Sequence, residues 1–236
     1  MATKQTLKPR RTRAEKAAQT RAALLHAAAE VIGEVGYGDA SIARITQRAG
    51  IAQGTFYLYF ENQQDLFDQL LPTLGQDLLN YLSERVAGTK DILEVEEAGF
   101  RGFFDYLVEN PAFFRILNEA EIAAPRAYER HFELLRRHYM RALGRSWKQG
   151  ELPDFEQQEL EVLVYILFAA RSYLYLRYSK SEDGPQPIPE WVVQAFMKFV
   201  RGGVLQGRPD LTAPSSGSMK EQDTDDHARK DQEPNV

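Results

Sequence analysis

The 236-residue sequence contains no cysteine. Disulfides and thiolate metal sites are thereby excluded, and a reducing compartment suits the chain. Also missing is any apolar run near the roughly 18–20 residues that a membrane-spanning helix needs. The basic N-terminus, MATKQTLKPRRTRAEK, is followed by no apolar signal-peptide segment. The expectation is a cytoplasmic protein with no membrane partner. The chemistry-bearing motifs are scarce too. There is no nucleophile elbow, no phosphate loop, no His-Glu-x-x-His and no evident acid/base pair, so neither an enzyme nor a cofactor is expected. The glycines of GEVGYG, residues 33–38, follow a helical pattern rather than a strand and lack a following Lys-Ser/Thr, which reads as a helix end and turn. Of four histidines, His131 and His138 are seven apart and share a helix face, but no third ligand is specified and no metal is expected.

What is present is an ordinary soluble balance of 43% hydrophobic and 27% charged residues, enough for one or two domains with a core. The net charge of −5 is unevenly spread. Residues 1–60 hold nine Lys/Arg against four acids, a net +5 that leaves −10 for the remainder. This split fits a polyanionic partner for the N-terminal part, or simply a solvated basic tail.

Periodicity is helical throughout and no segment reads as a strand. Ala18, Ala22, Leu25, Ala29 and Ile32 recur at steps of three and four, and Gly33, Gly36 and Gly38 end that first helix. Ser41 is placed to cap a short helix, IARITQRA, and Gly50 breaks it. A third helix is expected from about Gln53 to Tyr59. A fourth is capped by Asn62 with Asp65 three positions on, and Pro72 is expected to bend it. Next come helices over DILEVEEAGFRGFFDYLVEN and PAFFRILNEAEI, the latter with Asn110 as cap. The last three lie over PRAYERHFELLRRHYMRALGRSWKQG, FEQQELEVLVYILFAARSYLYLRYSK and PEWVVQAFMKFVRGGVLQG, with Trp191, Ala195, Phe196, Phe199 and Val200 on one side of the final one. The fold class is all-α with about nine helices. The expected organisation is a flexible basic arm (1–13), a head (14–70), a helical body (71–207) and a disordered polar tail (208–236).

The stretch AGIAQGTFYLYF, residues 49–60, is the most informative. Two short helices joined by a tight turn have the dimensions of a helix-turn-helix, whose second helix enters the DNA major groove. Phe56 and Phe60, four apart, would anchor that helix to the core. Gln53 is suited to bidentate bonding of adenine, and Gly54 offers no side chain to hold the helix off a duplex. The hydroxyls of Thr55, Tyr57 and Tyr59 suit phosphate oxygens.

SIARITQRAGIAQGTFYLYFENQQDLF resembles the head of TetR-family transcriptional regulators, over roughly residues 18–70. The resemblance implies a homodimer whose last two long helices pair with their twins in a four-helix bundle. It implies a palindromic double-stranded operator, and a ligand-binding and dimerisation body whose small hydrophobic effector releases a repressor from DNA. By position, Ser41 would contact the DNA backbone, Arg44 and Arg48 would help electrostatically, and Gln53 and Gly54 would face bases. Two positions depart from the family pattern. Ala52 stands where Ser or Thr commonly caps the third helix, and Gln63 stands where a lysine commonly meets phosphate. For the body, Phe103, Phe104, Phe114, Asn118, Tyr128, Phe132, Phe168 and Arg171 are the candidates for an apolar pocket with a few polar groups.

Overall fold

The computed structural model describes residues 12–204. The expected polar tail lies outside them, as does the expected arm apart from Thr12, which caps the first helix, and Arg13, its first residue. Among the described residues there are nine α-helices, one 3-10 turn and no strand.

Helix α1 (Arg13–Asp39) starts with a reciprocal capping box. Glu15 N–H donates to Thr12 Oγ1 at 3.2 Å, and Thr12 N–H to Glu15 Oε2 at 2.8 Å. Its helical geometry breaks at Gly36, with φ 82° and ψ 170°. α2 (Ile42–Ala49) is capped by Ser41, which accepts from Arg44 N–H at 3.3 Å, and it ends on Gly50 at φ 66°. α3 (Gln53–Phe56) is shorter than expected, because residues 57–59 close as a turn. Ala52 supplies no side-chain cap, in keeping with a helix of barely one turn. α4 (Gln63–Arg85) is capped by Asn62, which accepts from Asp65 N–H at 2.9 Å. The Asp65 carboxylate accepts from Glu61 N–H, one residue further out than a capping box requires. α4 runs as one element through Pro72, whose missing N–H leaves the Asp68 carbonyl without its helical donor.

Helix α5 (Ile92–Glu109) follows Asp91, whose carboxylate accepts from Glu94 N–H. The expected role of Asn110 is corrected here. It ends α5, with both its backbone and side-chain N–H groups donating to the Tyr106 carbonyl, and α6 (Phe113–Ala123) starts three residues later. Pro111 explains this, since it disfavours helical geometry at the residue before it. α7 (Pro125–Lys148) has proline in its first turn. A 3-10 turn (Gln157–Glu159) leads to α8 (Leu160–Tyr178), and α9 (Glu190–Val204) is the last element of the described residues. The residues expected on one side of α9 divide between a buried and an exposed stripe. Val192, Val193, Phe196, Met197 and Val200 are buried, while Trp191 and Phe199 are 61% and 58% exposed. Trp191, Ala195 and Phe199 follow one another at steps of four, so they share a stripe that lies beside the buried one.

Packing joins head and body. The head core of Leu24, Ile32, Ile45, Phe56, Phe60 and Leu66 continues into Ile116 and Ala120 of α6. α4 is common to both parts and packs along α7, where the buried His131 ring abuts Gly75. Burial holds that imidazole neutral, its pKa depressed to about 4. A second core gathers around Phe100, which stacks on Phe196 with ring centres 4.0 Å apart. No helix among the described residues is long and apolar enough to cross a membrane.

Candidate nucleic-acid interface

The two-faced reading of residues 53–60 describes the observed geometry. Phe56 and Phe60 are buried, with ring centres 5.4 Å apart, and the Arg21 guanidinium lies over the Phe60 ring at 5.6 Å. On the other side Gln53, Gly54 and Tyr57 are exposed, and a Cβ built on Gly54 would meet nothing within 4 Å. Thr55 and Tyr59 are half-buried. Tyr59 packs against the head core by its ring. Leu58, 79% exposed, belongs to the same outward surface and was not among the sequence candidates. Its signal was available: it stands two residues from each buried phenylalanine, half a helical turn away from both.

The remaining candidates are engaged inside the head. Ser41 caps α2, as above. Arg44 is exposed and donates to the Asp39 carbonyl at 3.1 Å. Arg48 reaches back to α1, pairing with Glu34 at 2.7 Å and Glu30 at 3.3 Å. The hydrogen bond to Glu34, then the one to Glu30, raise its pKa further, and the same pairing lowers that of Glu34. Its charge is therefore compensated within the head. Gln63 donates to the Ala40 carbonyl at 2.8 Å, which ties the start of α4 to the loop before α2. An uncharged amide suits that half-buried position, because a lysine there would bring its ammonium into a partly desolvated site.

The head is also strapped to the body. Arg115 of α6 donates to the Gly33 and Glu34 carbonyls at 3.1 and 3.0 Å and pairs with Glu119 at 2.7 Å. The Glu119 carboxylate accepts from Tyr37 N–H at 2.9 Å. α6 thus satisfies orphan groups at the end of α1. At the other end of α6, the Ala123 carbonyl accepts from Gln64 of α4 at 3.2 Å.

The pocket candidates are distributed over the body rather than brought together. Phe103 and Phe104 are buried in the second core. Phe114 and Asn118 line an open cleft between α1, α6 and the segment after α8. Tyr128, Phe132 and Phe168 form a ring chain between α7 and α8, with centres 4.7 and 6.2 Å apart. Arg171 lies elsewhere, buried on α8 and paired with Glu96 of α5 at 2.7 Å. Glu96 was missed because a lone glutamate in a mixed helical pattern looks solvent-facing.

Residues 24–70 match the sequence profile described as "Bacterial regulatory proteins, tetR family". An uncharacterised HTH-type transcriptional regulator of Bacillus subtilis, YvdT, is 43% identical over 65 residues, which are 28% of this chain and 31% of that protein. The fatty acid metabolism regulator protein of the same organism is 45% identical over 47 residues, 20% of this chain and 24% of its own. The chain thus spans less than a third of the length of these relatives. The fold extends further. A fatty acid degradation regulator, FadR, from Bacillus halodurans aligns over 80% of this chain and 97% of its own, with a TM-score of 0.62 at 19% identity. A TetR-family regulator of Pectobacterium atrosepticum aligns over 84% and 100%, with a TM-score of 0.62 at 24% identity. The head thus carries the sequence signature of tetR-family regulators over residues 24–70, and the chain shares the fold of these solved structures over most of its length.

Proposed function

We propose that this protein is a homodimeric, sequence-specific DNA-binding transcriptional regulator of the repressor class, released from a palindromic operator by a small, largely apolar effector. The observation that carries the reading is the division of residues 53–60 into a buried phenylalanine pair and an exposed Gln53–Gly54–Tyr57–Leu58 surface, within the stretch that matches the family. Gln53 is the base-reading side chain, Leu58 offers an apolar contact to a thymine methyl, and Tyr57 offers its hydroxyl to phosphate or base.

The dimer reading is supported by apolar side chains left uncovered on the last two helices. Val162, Tyr165 and Ile166 of α8 and Trp191 and Phe199 of α9 are each more than 40% exposed. Ile166 and Phe199 line one small cavity, so the two helices contribute to one surface there. Apolar surface of this kind is what an isologous interface buries. A two-fold dimer presents two heads, and both fit one duplex when their reading helices stand about 34 Å apart. An effector that prefers another spacing shifts the population off DNA, by at most its differential affinity, typically about 1–3 kcal/mol. α4 and α6 both touch the head and the body and would carry that change.

Selection of bound sequences from random duplex DNA at a fixed salt concentration tests the reading. Recovery of a palindrome with half-sites one helical turn apart is expected. Binding without enrichment would replace the regulator with a non-specific DNA binder, and folded protein that binds no DNA would refute it.

A further inference from the structure

Between the end of α4, the first half of α5 and the second half of α7 lies a cavity of about 300 Å³. Its walls include Leu82, Val86, Val95 and Leu143, and its polar residues include Glu96, Tyr139 and Arg171. A buried ion pair in a helical body is not what stability alone selects, since apolar side chains of the same volume commonly serve as well or better. This pair is also incompletely used. Arg171 gives Nη2–H to Glu96 Oε1 at 2.7 Å and Nη1–H to the Leu167 carbonyl at 3.1 Å. Its Nε–H has no hydrogen-bond partner among the described residues, although Arg171 is only 3% exposed. Glu96 accepts that single hydrogen bond, and the Tyr139 hydroxyl makes none among the described residues. Three rings hold the guanidinium in place: Tyr139, Phe100 and Phe196, with centres 5.5, 5.8 and 5.9 Å from its central carbon. A donor, an acceptor and a hydroxyl with spare capacity therefore belong to one small cavity of mixed apolar and polar lining.

We propose that this cavity is a binding site for a small uncharged molecule with an apolar body and a hydroxyl, carbonyl or amide group, held by Arg171, Glu96 and Tyr139. The charges of Arg171 and Glu96 cancel. An anionic ligand on Arg171, or a cationic one on Glu96, would add an uncompensated charge to a buried site whose own charges already cancel. A neutral group takes the spare donor and acceptor and leaves the pair intact. Lys90, Asp91 and Arg145 also line the cavity, but all three are exposed, and an ion held there stays in water and is screened by salt; His138 and Glu151 are half-buried, and Glu151 already accepts from Ile92 N–H. The volume is at the small end for a ligand site, which favours a single ring or short chain. The proposal deepens the effector-controlled reading and rests on it only for the regulatory consequence.

Four probes built on one ring separate the alternatives: benzamide, benzyl alcohol, benzoate and benzylamine, titrated into the full-length protein without DNA and followed by NMR. Saturable binding of benzamide and benzyl alcohol is expected, at least about tenfold tighter than either charged probe, which corresponds to about 1.4 kcal/mol. Tyr139→Phe, a conservative change, is expected to weaken the neutral probes severalfold, and Val95→Phe, which fills the cavity from its apolar wall, to abolish their binding in protein with an unchanged helical spectrum. Tighter binding of benzoate or benzylamine would overturn the proposal, as would undiminished binding to Val95→Phe. Absence of saturable binding by all four would reduce the pair to a structural strut. Addition of benzamide to a preformed DNA complex is a separate arm. Release supports the effector role. Binding without release removes that role and keeps the site, and failure to form any DNA complex refutes the regulator and leaves the site standing.

Discussion

Gly36→Ala tests how the head is held on the body. Gly36 has φ 82° and ψ 170°, a region essentially reserved for glycine, so an L-residue there is strained by about 1–3 kcal/mol. Its Cβ would also lie 2.8 Å from Nη2 of Arg115 and 2.9 Å from Oε2 of Glu119. Both are the ends of flexible side chains, so the overlap itself is relieved cheaply. Relief, however, moves the groups that bond the Gly33 and Glu34 carbonyls and Tyr37 N–H. Hydrogen bonds to charged groups contribute about 1.5–3 kcal/mol when sheltered. The side chains of Arg115 and Glu119 are 42% and 36% exposed, and solvent competition reduces their loss to about 1 kcal/mol in all. The expected destabilisation is about 2–4 kcal/mol, a fall in melting temperature of about 5–15 °C for a chain of this size. Thermal melts followed by circular dichroism measure it, and hydrogen exchange should show the Tyr37 amide losing protection. Arg115→Met combined with Gly36→Ala should cost less than the sum of the two, because both remove the same contact. A single mutant that melts within about a degree of wild type would refute this account of the junction.

Phe56→Ala should unfold the head while leaving the body helical, at about 3–5 kcal/mol for a fully buried phenylalanine, and is read by a separate early melt; wild-type melting would mean that the two faces of α3 are reversed. Gln53→Ala should relax base preference at one position in each half-site, at about 1–3 kcal/mol, with unchanged specificity moving Gln53 to the backbone contacts. Phe199→Glu should convert the dimer to monomer in analytical ultracentrifugation without lowering helix content, since the side chain is 58% exposed in the single chain; an unshifted dimer would place the interface elsewhere. The Glu119 carboxylate should weaken the junction in acid. Burial pushes its pKa up, but the Arg115 hydrogen bond, the Tyr37 N–H and the Arg115 charge outweigh this, and the value sits below the ordinary 4.5. A depressed carboxylate stabilises the fold above that ordinary value and loses its contribution as pH falls through the folded one. Between neutral pH and about pH 3.5 wild type should therefore lose more melting temperature than Glu119→Gln, and parallel curves would exclude the carboxylate.

The parts of this architecture that could be read in advance are those whose signal is local. Ser41 and Asn62 cap because an oxygen two atoms from the backbone reaches an N–H three residues on, and both do so. The pair Phe56 and Phe60 was legible from spacing alone, as were the exposed Gln53, Gly54 and Tyr57 opposite it, whereas Leu58 was missed and Thr55 and Tyr59 are half-buried. What escaped was set by distant partners. Arg48 reads from the sequence as a charge near DNA, and the pairing that the sequence did not show is with two glutamates of α1. Gln63 looked like a lost cationic contact, yet its amide closes the loop at Ala40. The sequence places Trp191 and Phe199 on one side of α9 together with Phe196 and Val200, and periodicity cannot separate a stripe that meets the body from one left uncovered. The same limit scattered the pocket candidates. Aromatic content located the body's cores, but a site needs polar groups with unused hydrogen bonds, and the pairing of Arg171 with a glutamate 75 residues away reveals one such group. Local chemistry fixes caps and turns; charge pairing across helices decides which cations are already partnered, and in this head Arg48 is paired with Glu34 and Glu30 while Gln53, Tyr57 and Leu58 face outward.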